Sequence, residues 1–211
     1  MRLAVIGAGH IGGTIGRAWL TAGHDVHFGV SSPGKHAELA AAGATVTTVA
    51  EAAAAFAVTE AATAQAADAV LLAVPGAAVR DAVAAIAPAL GASIVIDATN
   101  NVGGNGPLNA SAVVAEAAPQ AIYYRAFNTL GWESFATPTF PSGERADLFY
   151  AGPDGASREH VEQLVNDVGL RPVWVGGGEA VETVDGVARL WFALVMGRHL
   201  GRHTAFRMLT D

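Results

Sequence analysis

The sequence has no cysteine, a single lysine and few charged or aromatic side chains. Of its 211 residues, 15% are charged and 7% are aromatic, whereas 52% are hydrophobic. Without cysteine the chain cannot form a disulfide framework, a thiolate nucleophile or a Cys-ligated zinc or iron–sulfur site. The remaining composition is that of an acidic globular protein with a sizeable core, and we expect it to be cytoplasmic.

Positive charge and long apolar runs are also scarce. The 12 Lys and Arg residues are outnumbered by 19 Asp and Glu residues, which gives a net charge of -7. A nucleic-acid-binding protein needs a basic surface to displace phosphate counterions, so we expect no nucleic-acid partner. The apolar runs at residues 69–75 and 190–197 are shorter than the roughly 18–20 residues that cross a bilayer. We therefore expect no membrane partner, and the first residues lack the pattern of a targeting segment.

Short runs rich in Val, Ile and Leu alternate with Ala-rich stretches of helical length. The runs show little polar alternation, which is typical of strands buried on both faces of a parallel sheet. The predicted strands are residues 3–6, 26–30, 45–49, 69–74, 93–97 and 121–126, and the predicted helices are residues 11–22, 35–42, 50–67, 77–90 and 108–117. This alternation predicts an α/β fold with a doubly wound parallel sheet of the Rossmann type.

A second, smaller unit follows residue 126, so we predict domains at residues 1–126 and 127–211. Aromatic, Gly and Pro residues at 127–143 indicate an ordered loop. The following pattern predicts a strand at 148–151, a helix at 156–168, a strand at 172–175 and a long helix at about 180–208. One face of this helix is apolar, with Val184, Val187, Ala188, Trp191, Phe192 and Val195. Three- and four-residue spacing makes such a face broad, and we expect a partner subunit to cover it in a homodimer.

A Gly-x-Gly-x-x-Gly motif at residues 7–12 directly follows the first predicted strand and opens the first helix. Gly7 permits a tight turn, Gly9 lets a pyrophosphate approach the backbone, and Gly12 allows close packing of the helix on the strand. The N–H groups of the helix start, from His10 and Ile11 onward, face the anion. The motif predicts dinucleotide binding, with His10 as a loop residue near the pyrophosphate rather than a catalyst.

The end of the second strand predicts which nicotinamide cofactor is bound. An NAD site needs an acidic residue there for the ribose 2′-hydroxyl, whereas an NADP site needs hydroxyls and a cation for the 2′-phosphate. Residues 29–36 contain no carboxylate but include Ser31, Ser32 and Lys35, the single lysine. These residues predict NADP(H) as the cofactor. The alternative is an ordinary turn and helix cap, for which Ser-Ser-Pro-Gly is suitable.

Three further strand ends supply candidate ligand contacts, because ligands of open parallel sheets bind beyond the carboxyl ends of the strands. After the fourth strand we expect Ala73, Val74, Pro75 and Val79 to contact the cofactor. After the fifth strand we expect Thr99 and Asn100 to do so, while Asp97 is either a strand-end cap, which we favour, or a catalytic acid. After the sixth strand, Phe127 and Asn128 are expected cofactor contacts, and the expected acceptor pocket comprises Thr129, Leu130, Gly131 and Met208.

The chain resembles the coenzyme F420-dependent NADP oxidoreductases, whose N-terminal domain is also similar to the cytosolic domain of Steap-type metalloreductases. The resemblance rests on residues 7–12 (GAGHIG), 73–75 (AVP), 126–130 (AFNTL), 147–152 (DLFYAG) and 201–209 (GRHTAFRML). It implies reversible hydride transfer between NADPH and the deazaflavin F420, with the two rings stacked in a cleft between the domains. No catalytic side chain and no metal is implied, while Asn128 and Thr129 would orient a ring edge or carboxamide.

The chain departs from the family pattern at two positions, with Ser32 where an Arg is common and Asn101 where a Pro is common. An ammonium such as that of Lys35 lacks the bidentate geometry of a guanidinium. The expected preference for NADP over NAD is therefore weaker than in the family. Two other functions stay open, namely an NADPH-dependent reductase of a flavin, ferric chelate or imine, and a non-catalytic NADP-binding sensor.

A cationic cluster near the end of the chain has two interpretations. It comprises Arg198, His199, Arg202, His203 and Arg207. These side chains would either hold the phosphate and glutamyl tail of F420, or complement the dipole at the end of the predicted helix.

Overall fold

We describe the fold from a computed structural model, in residues 1–56 and 68–211. The second half of the helix predicted at residues 50–67 lies outside the described residues. The chain divides into two compact units, Met1–Tyr123 and Tyr124–Asp211. The sequence predicts this boundary slightly later, after residue 126. The observed boundary falls within the strand Ile122–Arg125, so two of its residues lie in each unit.

The first unit contains a parallel sheet. Its strands are β1 (Arg2–Ile6), β2 (Asp25–Val30), β3 (Thr45–Thr48), β4 (Ala69–Leu72) and β5 (Ile94–Asp97), and β6 (Ile122–Arg125) begins in this unit. The first five strands are ordered β3-β2-β1-β4-β5. Leu3 of β1 lies opposite Val26 of β2 and Ala69 of β4, with all paired strands parallel.

Helices follow the strands as the alternation predicts. They are α1 (His10–Thr21), α2 (Ala37–Ala41), α3 (Val49–Phe56), α4 (Val79–Leu90) and α5 (Ser111–Ala117), and 3₁₀ turns lie at Pro33–Lys35 and Gly76–Ala78. The chain crosses from β1 to β2 on one side and to β4 on the other. The predicted α/β fold with a doubly wound sheet of the Rossmann type is therefore confirmed.

The core of the first unit lies between the sheet and α4. Val79, Val83, Ile86 and Leu90 recur at three- and four-residue spacing on this helix, and all are buried. They belong to one apolar cluster with strand residues such as Val70. The carboxyl ends of β1 and β4 are held side by side by the backbone pairing of the two strands.

The edge strand β3 differs from the prediction that all these strands are fully buried. Thr45 and Thr48 are exposed. The strand has a neighbour on one side only, β2, so two of its four side chains reach solvent. Apolar content by itself does not distinguish an edge strand from a central one.

The second unit continues with β7 (Asp147–Ala151) and β8 (Arg171–Gly176), joined by α7 (Ala156–Asp167). β7 is antiparallel to β6 and parallel to β8. A short helix, α6 (Trp132–Ala136), lies within residues 127–143, where the sequence predicts only an ordered loop. The last regular elements are a 3₁₀ turn (Gly178–Ala180), α8 (Val181–Phe192) and a π-helical turn (Ala193–Gly197).

The prediction that the last helix extends to about Met208 is wrong, because regular structure ends at Gly197. Residues 198–211 contain no helix. Hydrogen bonds to the body of the second unit hold this segment, since Asp147 N donates to Phe206 O (3.0 Å) and Met208 N donates to Asp147 Oδ2 (2.6 Å). We call residues 198–211 the C-terminal strap. Within the described ranges, no helix is long and apolar enough to cross a membrane.

The apolar face of α8 packs largely within its own chain. Val184, Ala188, Trp191 and Val195 are buried, and Trp191 Nε1 donates to Thr204 O of the C-terminal strap (2.8 Å). Trp191 is thus buried without a partner subunit, and the expected homodimer stays a prediction. The strap itself covers this side chain.

Candidate functional site

The turn between β1 and α1 is closed by backbone contacts that only glycine permits. Gly7 has a φ of +98°, and its N–H donates to Gly29 O on β2 at 3.0 Å. A Cβ at Gly7 would lie 2.5 Å from Ala73 O, which follows β4. The turn is thus held against both neighbouring strands, and a side chain at this position would separate them.

Gly9 and Gly12 have different roles in the same turn. A Cβ at Gly12 would lie 2.0 Å from Gly7 O, so this glycine lets α1 pack directly on the turn. A Cβ at Gly9 would meet no described heavy atom within 4 Å. Gly9 precedes the first turn of α1, where the backbone N–H groups lack intrahelical acceptors and carry the positive end of the helix dipole. Its lack of a side chain keeps that approach open to an anion.

An open groove of about 580 Å³ begins at this turn. Its described lining is Gly7, Ala8, Gly9, Gly29, Val30, Ser31, His36, Val49, Ala73, Val74, Pro75, Ala78, Asp81, Ala82 and Ala85. The volume falls in the range of small-molecule and cofactor sites. Six of the predicted cofactor contacts therefore line the same groove, namely Gly7, Gly9, Ser31, Ala73, Val74 and Pro75.

The region after β2 contributes different residues from those that the sequence suggests. Ser31 and His36 line the groove, whereas Ser32 and Lys35 are not part of its described lining, and Lys35 is exposed. The 3₁₀ turn accounts for this, because Lys35 N donates to Ser32 O and His36 N donates to Pro33 O, both at 3.0 Å. The turn places the side chain of His36 at the groove. Sequence reasoning missed His36 because the direction of a side chain after a turn depends on the turn geometry.

Asp81 is the one acidic residue in the described lining. It lies in the first turn of α4, where a carboxylate complements the helix dipole. Sequence reasoning took only the residues after β2 into account and missed this carboxylate. Its position on α4 distinguishes it from the carboxylate of an NAD site, which follows β2.

A second groove, of about 590 Å³, lies beyond the ends of β4 and β5. Val79 and Thr99 of the predicted contacts line it, together with Asn101, whereas Asn100 is not part of its described lining. Asn101 also shapes the loop, because its N–H donates to Leu108 O at 3.1 Å. A Pro at this position could not make that bond.

Asp97 caps the end of β5, as the favoured interpretation predicts. Its fully buried carboxylate accepts hydrogen bonds from Thr99 N (2.8 Å), Thr99 Oγ1 (2.6 Å), Ala110 N (2.7 Å) and Tyr123 Oη (2.6 Å). Four donors occupy both oxygens. The residue holds the loop that lines the second groove and has a structural role.

The remaining residues of the glycine motif lie in the first turn of α1. His10 is exposed, Ile11 is half-buried and Gly12 is buried. None of the three belongs to the described lining of the first groove. Their expected contribution, through the N–H groups of the helix start, concerns the backbone.

The predicted cofactor contact Phe127 and most of the predicted acceptor residues of the second unit are buried. Phe127 and Thr129 are fully buried, and Leu130 is 5% exposed. Phe127 has a positive φ of 60° and packs edge-on against Phe135, with ring centroids 5.9 Å apart. A Cβ at Gly131 would lie 3.0 Å from the Trp191 ring. The segment is therefore fixed by packing inside the second unit.

A buried ion pair fixes the same segment, and sequence reasoning missed it. Arg125 Nε donates to Asp185 Oδ1 of α8 at 2.7 Å, and both side chains are fully buried. Asn128 Nδ2 donates to the same oxygen at 3.2 Å. Two features of the sequence could have indicated this pair. Arg125 is a lone charge at the end of an apolar strand, and Asp185 lies beside the apolar face of α8. Sixty positions separate the two residues, so spacing could not pair them.

Met208 lies apart from this buried segment. It is 42% exposed, and its backbone carbonyl accepts from Arg171 Nη2 at 2.7 Å. Arg171 also donates twice to Asp147, at 2.6 Å each. Met208 thus belongs to the anchor of the C-terminal strap.

The cations of the C-terminal strap contact groups within the second unit. Arg202 Nε lies 2.6 Å from Glu133 Oε1, and His203 Nε2 lies 2.8 Å from Thr137 O. Arg207 Nη1 donates to Arg145 O at 3.0 Å. Arg198 and His199 are exposed. The helical segment ends at Gly197, so the interpretation that cations complement its dipole stays a prediction for Arg198 and His199, whereas Arg202, His203 and Arg207 contact other groups.

Two tyrosines of the second unit act as hydrogen-bond donors. Tyr124 donates to Pro153 O, and Tyr150 donates to Glu162 Oε1. Burial raises the pKa of both phenols, and the bond to Glu162 raises that of Tyr150 further. Both groups therefore stay protonated at neutral pH. In residues 1–56 and 68–211, no three His, Asp or Glu side chains converge on a possible metal site.

Solved structures share this fold over most of the chain. A candidate F420-dependent NADP reductase from Arthrobacter sp. FB24 aligns with a TM-score of 0.80 at 20% identity and covers 100% of both chains. A hypothetical protein from Sinorhizobium meliloti aligns with a TM-score of 0.66 at 25% identity over 84% of this chain and 85% of that chain. A reductive aminase from Aspergillus terreus, in complex with NADPH and ethyl levulinate, aligns with a TM-score of 0.64 at 18% identity. That alignment covers 93% of this chain and 62% of the aminase.

Sequence comparison identifies the first unit. No curated protein sequence matches the chain significantly. Residues 2–101 match the family described as NADP oxidoreductase, coenzyme F420-dependent. These residues include the glycine turn and the described lining of the first groove. The resemblance noted from the sequence is thus confirmed for the first unit: residues 2–101 match the family of coenzyme F420-dependent NADP oxidoreductases, and the solved structures share the fold.

Proposed function

We propose that the protein transfers a hydride between NADP(H) and coenzyme F420. The groove that begins at the glycine turn is the observation that carries the proposal. It is large enough for a cofactor, at about 580 Å³, and Gly9 leaves the helix start accessible. The family of residues 2–101 supports F420 as the acceptor.

The glycine turn would hold the pyrophosphate. The N–H groups at the start of α1 would donate to the phosphate oxygens, and the helix dipole would favour their negative charge. Gly7 keeps the turn close to Gly29 and Ala73. Because the contacts come from the backbone, they require no charged side chain.

The end of β2 supports NADP(H) over NAD(H). Residues 26–37 contain no carboxylate, so no acidic group is present there to bind a ribose 2′-hydroxyl or repel a 2′-phosphate. Ser31 lines the groove and would donate to the phosphate. Ser32 and Lys35 remain predictions from the sequence.

The cofactor supplies the redox chemistry when it is bound, and the chain supplies binding, orientation and shielding from water. Asp97 is engaged by four donors, so we assign it no part in proton transfer. Asn128 and Thr129 are buried, so their proposed orienting role is to position the segment that contains them rather than to contact the cofactor. No catalytic side chain and no metal is required.

A spectroscopic assay tests the proposed reaction. Purified protein is mixed with NADPH and oxidised F420, and the absorbance of the deazaflavin is followed. We expect F420 to be reduced by NADPH, and more slowly by NADH. Parallel reactions with FMN, a ferric chelate or a cyclic imine test the other acceptors.

Binding measured separately distinguishes the possible failures. Turnover of FMN, a chelate or an imine without turnover of F420 would contradict the proposed acceptor but retain an NADPH-dependent reductase. NADPH binding without turnover of any acceptor would favour a sensor. Absence of NADPH binding would contradict the cofactor itself.

We also propose a cytoplasmic homodimer. Leu190, Met196 and Leu200, on α8 and beyond, are 51%, 58% and 47% exposed, and a second copy of the chain would cover them. Light scattering of the native protein should give twice the monomer mass. A variant with Leu190→Glu and Met196→Glu should be monomeric, and a native monomer would contradict the proposal.

A further inference from the structure

We infer that the His36 side chain binds the 2′-phosphate of NADP(H). Its positive charge would then make the preference for NADP(H) over NAD(H) depend on pH. The inference rests on the proposed function, since it assigns a part of the same groove. Among the described residues that line this groove, His36 is the one side chain that can carry a positive charge. It shares the region after β2 with Ser31, which would supply a neutral donor.

The backbone around His36 is fixed from both sides. Its N–H donates to Pro33 O, and its carbonyl accepts from Leu39 N, both at 3.0 Å. Leu39 is fully buried and anchors α2. The imidazole is 25% exposed, so one part of the ring is packed and another reaches the groove. A ring held in this way loses little conformational freedom when a ligand binds.

The surrounding charges leave one ring nitrogen for the ligand. His36 Nδ1 lies 3.8 Å from Glu38 Oε1, in the first turn of α2. Within the described part of the chain, Nε2 makes no hydrogen bond to another residue. This nitrogen can donate to a phosphate oxygen, and a charge-assisted bond of this kind is stronger than a neutral one.

Charged groups on the neighbouring elements are few. Asp81 of α4 lines the same groove, and Lys35 is exposed beside His36. Glu51 of α3 accepts from Thr48 N at 2.9 Å, and His27 of β2 contacts Thr47 Oγ1 at 2.7 Å. Both groups are therefore engaged with β3. Asp81 disfavours an anion, which increases the dependence of phosphate binding on a positive His36.

The resulting pH dependence has a definite sign. The charge of an imidazole, unlike that of a guanidinium, is lost as the pH rises across the physiological range. A phosphate monoester gains its second negative charge near pH 6. NADPH affinity should therefore be greatest between about pH 6 and 7 and fall toward pH 8.5. NADH has no 2′-phosphate, so its affinity should change little with the charge at position 36.

The test measures the Kd of NADPH and of NADH for the full chain, by fluorescence titration from pH 6 to 8.5. In the native protein we expect the NADPH preference to fall roughly tenfold from pH 6.5 to 8.5, the effect of losing one charge-assisted bond. His36→Gln should have the lower preference at every pH, without the slope. His36→Arg should retain a high preference up to pH 8.5, because guanidinium stays charged.

Two further variants make the result specific. His160→Gln makes the same chemical change on the exposed side of α7 and should behave as the native protein. Lys35→Gln separates the two candidate cations, since we expect the native pH slope to remain. A larger loss of NADPH preference in Lys35→Gln than in His36→Gln would overturn the assignment, as would a native slope in His36→Gln.

The outcomes also separate this inference from the proposed function. If the native protein binds NADPH but His36→Gln binds it with unchanged preference, only the role of His36 is refuted. If the native protein binds neither cofactor, the proposed function fails and this inference fails with it. Circular dichroism of each variant confirms that the fold is retained.

Discussion

The two units of the protein are stabilised at their key positions by different kinds of contact. In the first unit, the groove is shaped by backbone groups and by small residues such as Gly7, Gly9 and Ala73. In the second unit, charged side chains connect distant segments, as Arg125 does with Asp185. A site built from backbone is encoded in a short motif, whereas a side-chain network is encoded in residues far apart in sequence.

The difference matters for binding as well as for stability. Backbone N–H groups at a helix start offer a fixed array for an anion, and they carry no net charge that must be neutralised in the free protein. Buried ions have a large desolvation cost, which only their mutual contact offsets. The first unit is therefore suited to exchanging a charged ligand, and the second to keeping one conformation.

The largest expected effect concerns the buried pair of the second unit. Arg125→Met would leave Asp185 as a buried carboxylate without its ionic partner, and should lower the free energy of unfolding by about 3–5 kcal/mol. The matched control in the first unit is Arg80→Met, whose pair with Glu116 is exposed (71% and 73%). That change should cost about 0–1 kcal/mol.

Urea denaturation of both variants measures this contrast. Adding Asp185→Leu to Arg125→Met should restore much of the loss, because an apolar pair removes the buried charge. Equal losses in the Arg125 and Arg80 variants would show that burial of the ion pair does not distinguish the units.

The glycine turn gives the next largest effect, and it separates binding from folding within the first unit. Gly9→Val should weaken NADPH binding at least about 100-fold, or roughly 2.7 kcal/mol, with little change in Tm, because its side chain enters open space. Gly12→Val should lower Tm as well, since a Cβ there would lie 2.0 Å from Gly7 O. Calorimetry and fluorescence titration measure the two effects. Retained binding in Gly9→Val would refute the pyrophosphate assignment.

The smallest effect is a pH dependence of stability in the first unit. Burial lowers the pKa of His27, and the charge of Arg2 lowers it further. Below about pH 6.5 the unfolded chain therefore binds this proton more readily than the folded chain does, so stability should fall as the pH falls from 7 to 5. His27→Gln should reduce this fall. The urea midpoints at pH 5 and 7 measure it, with His160→Gln as the control, and an unchanged fall in His27→Gln would contradict the prediction.

Local patterns predicted most of the first unit. Apolar runs located β1, β2, β4 and β5 within one or two residues, because strands of a parallel sheet are continuous apolar segments. The glycine motif located the start of α1 and the groove. The local pattern did not predict the exposure of Thr45 and Thr48 in β3 or the short helix α6. Both depend on which other parts of the chain pack against them, and residues nearby in sequence do not show this.

Long-range contacts explain what the sequence could not predict in the second unit. The C-terminal strap contains apolar and cationic residues that are compatible with a helix, but Asp147 binds its backbone near Met208. Glu133 pairs with Arg202, which is 69 positions away. These contacts compete with helical hydrogen bonds, and only the folded chain shows which set forms.

The sequence by itself determined the α/β fold and the presence of a dinucleotide turn, because short-range periodicity and glycine spacing act within a few residues. The tertiary structure decided that His36 rather than Lys35 lines the groove, that Asp81 faces the same space, and that Arg125 and Asp185 meet. These facts depend on the direction of side chains after turns and on the approach of distant segments. The absence of cysteine excludes thiolate and Cys-ligated metal chemistry. The packing of the chain determines which charged groups, such as His36 and Asp81, face the groove.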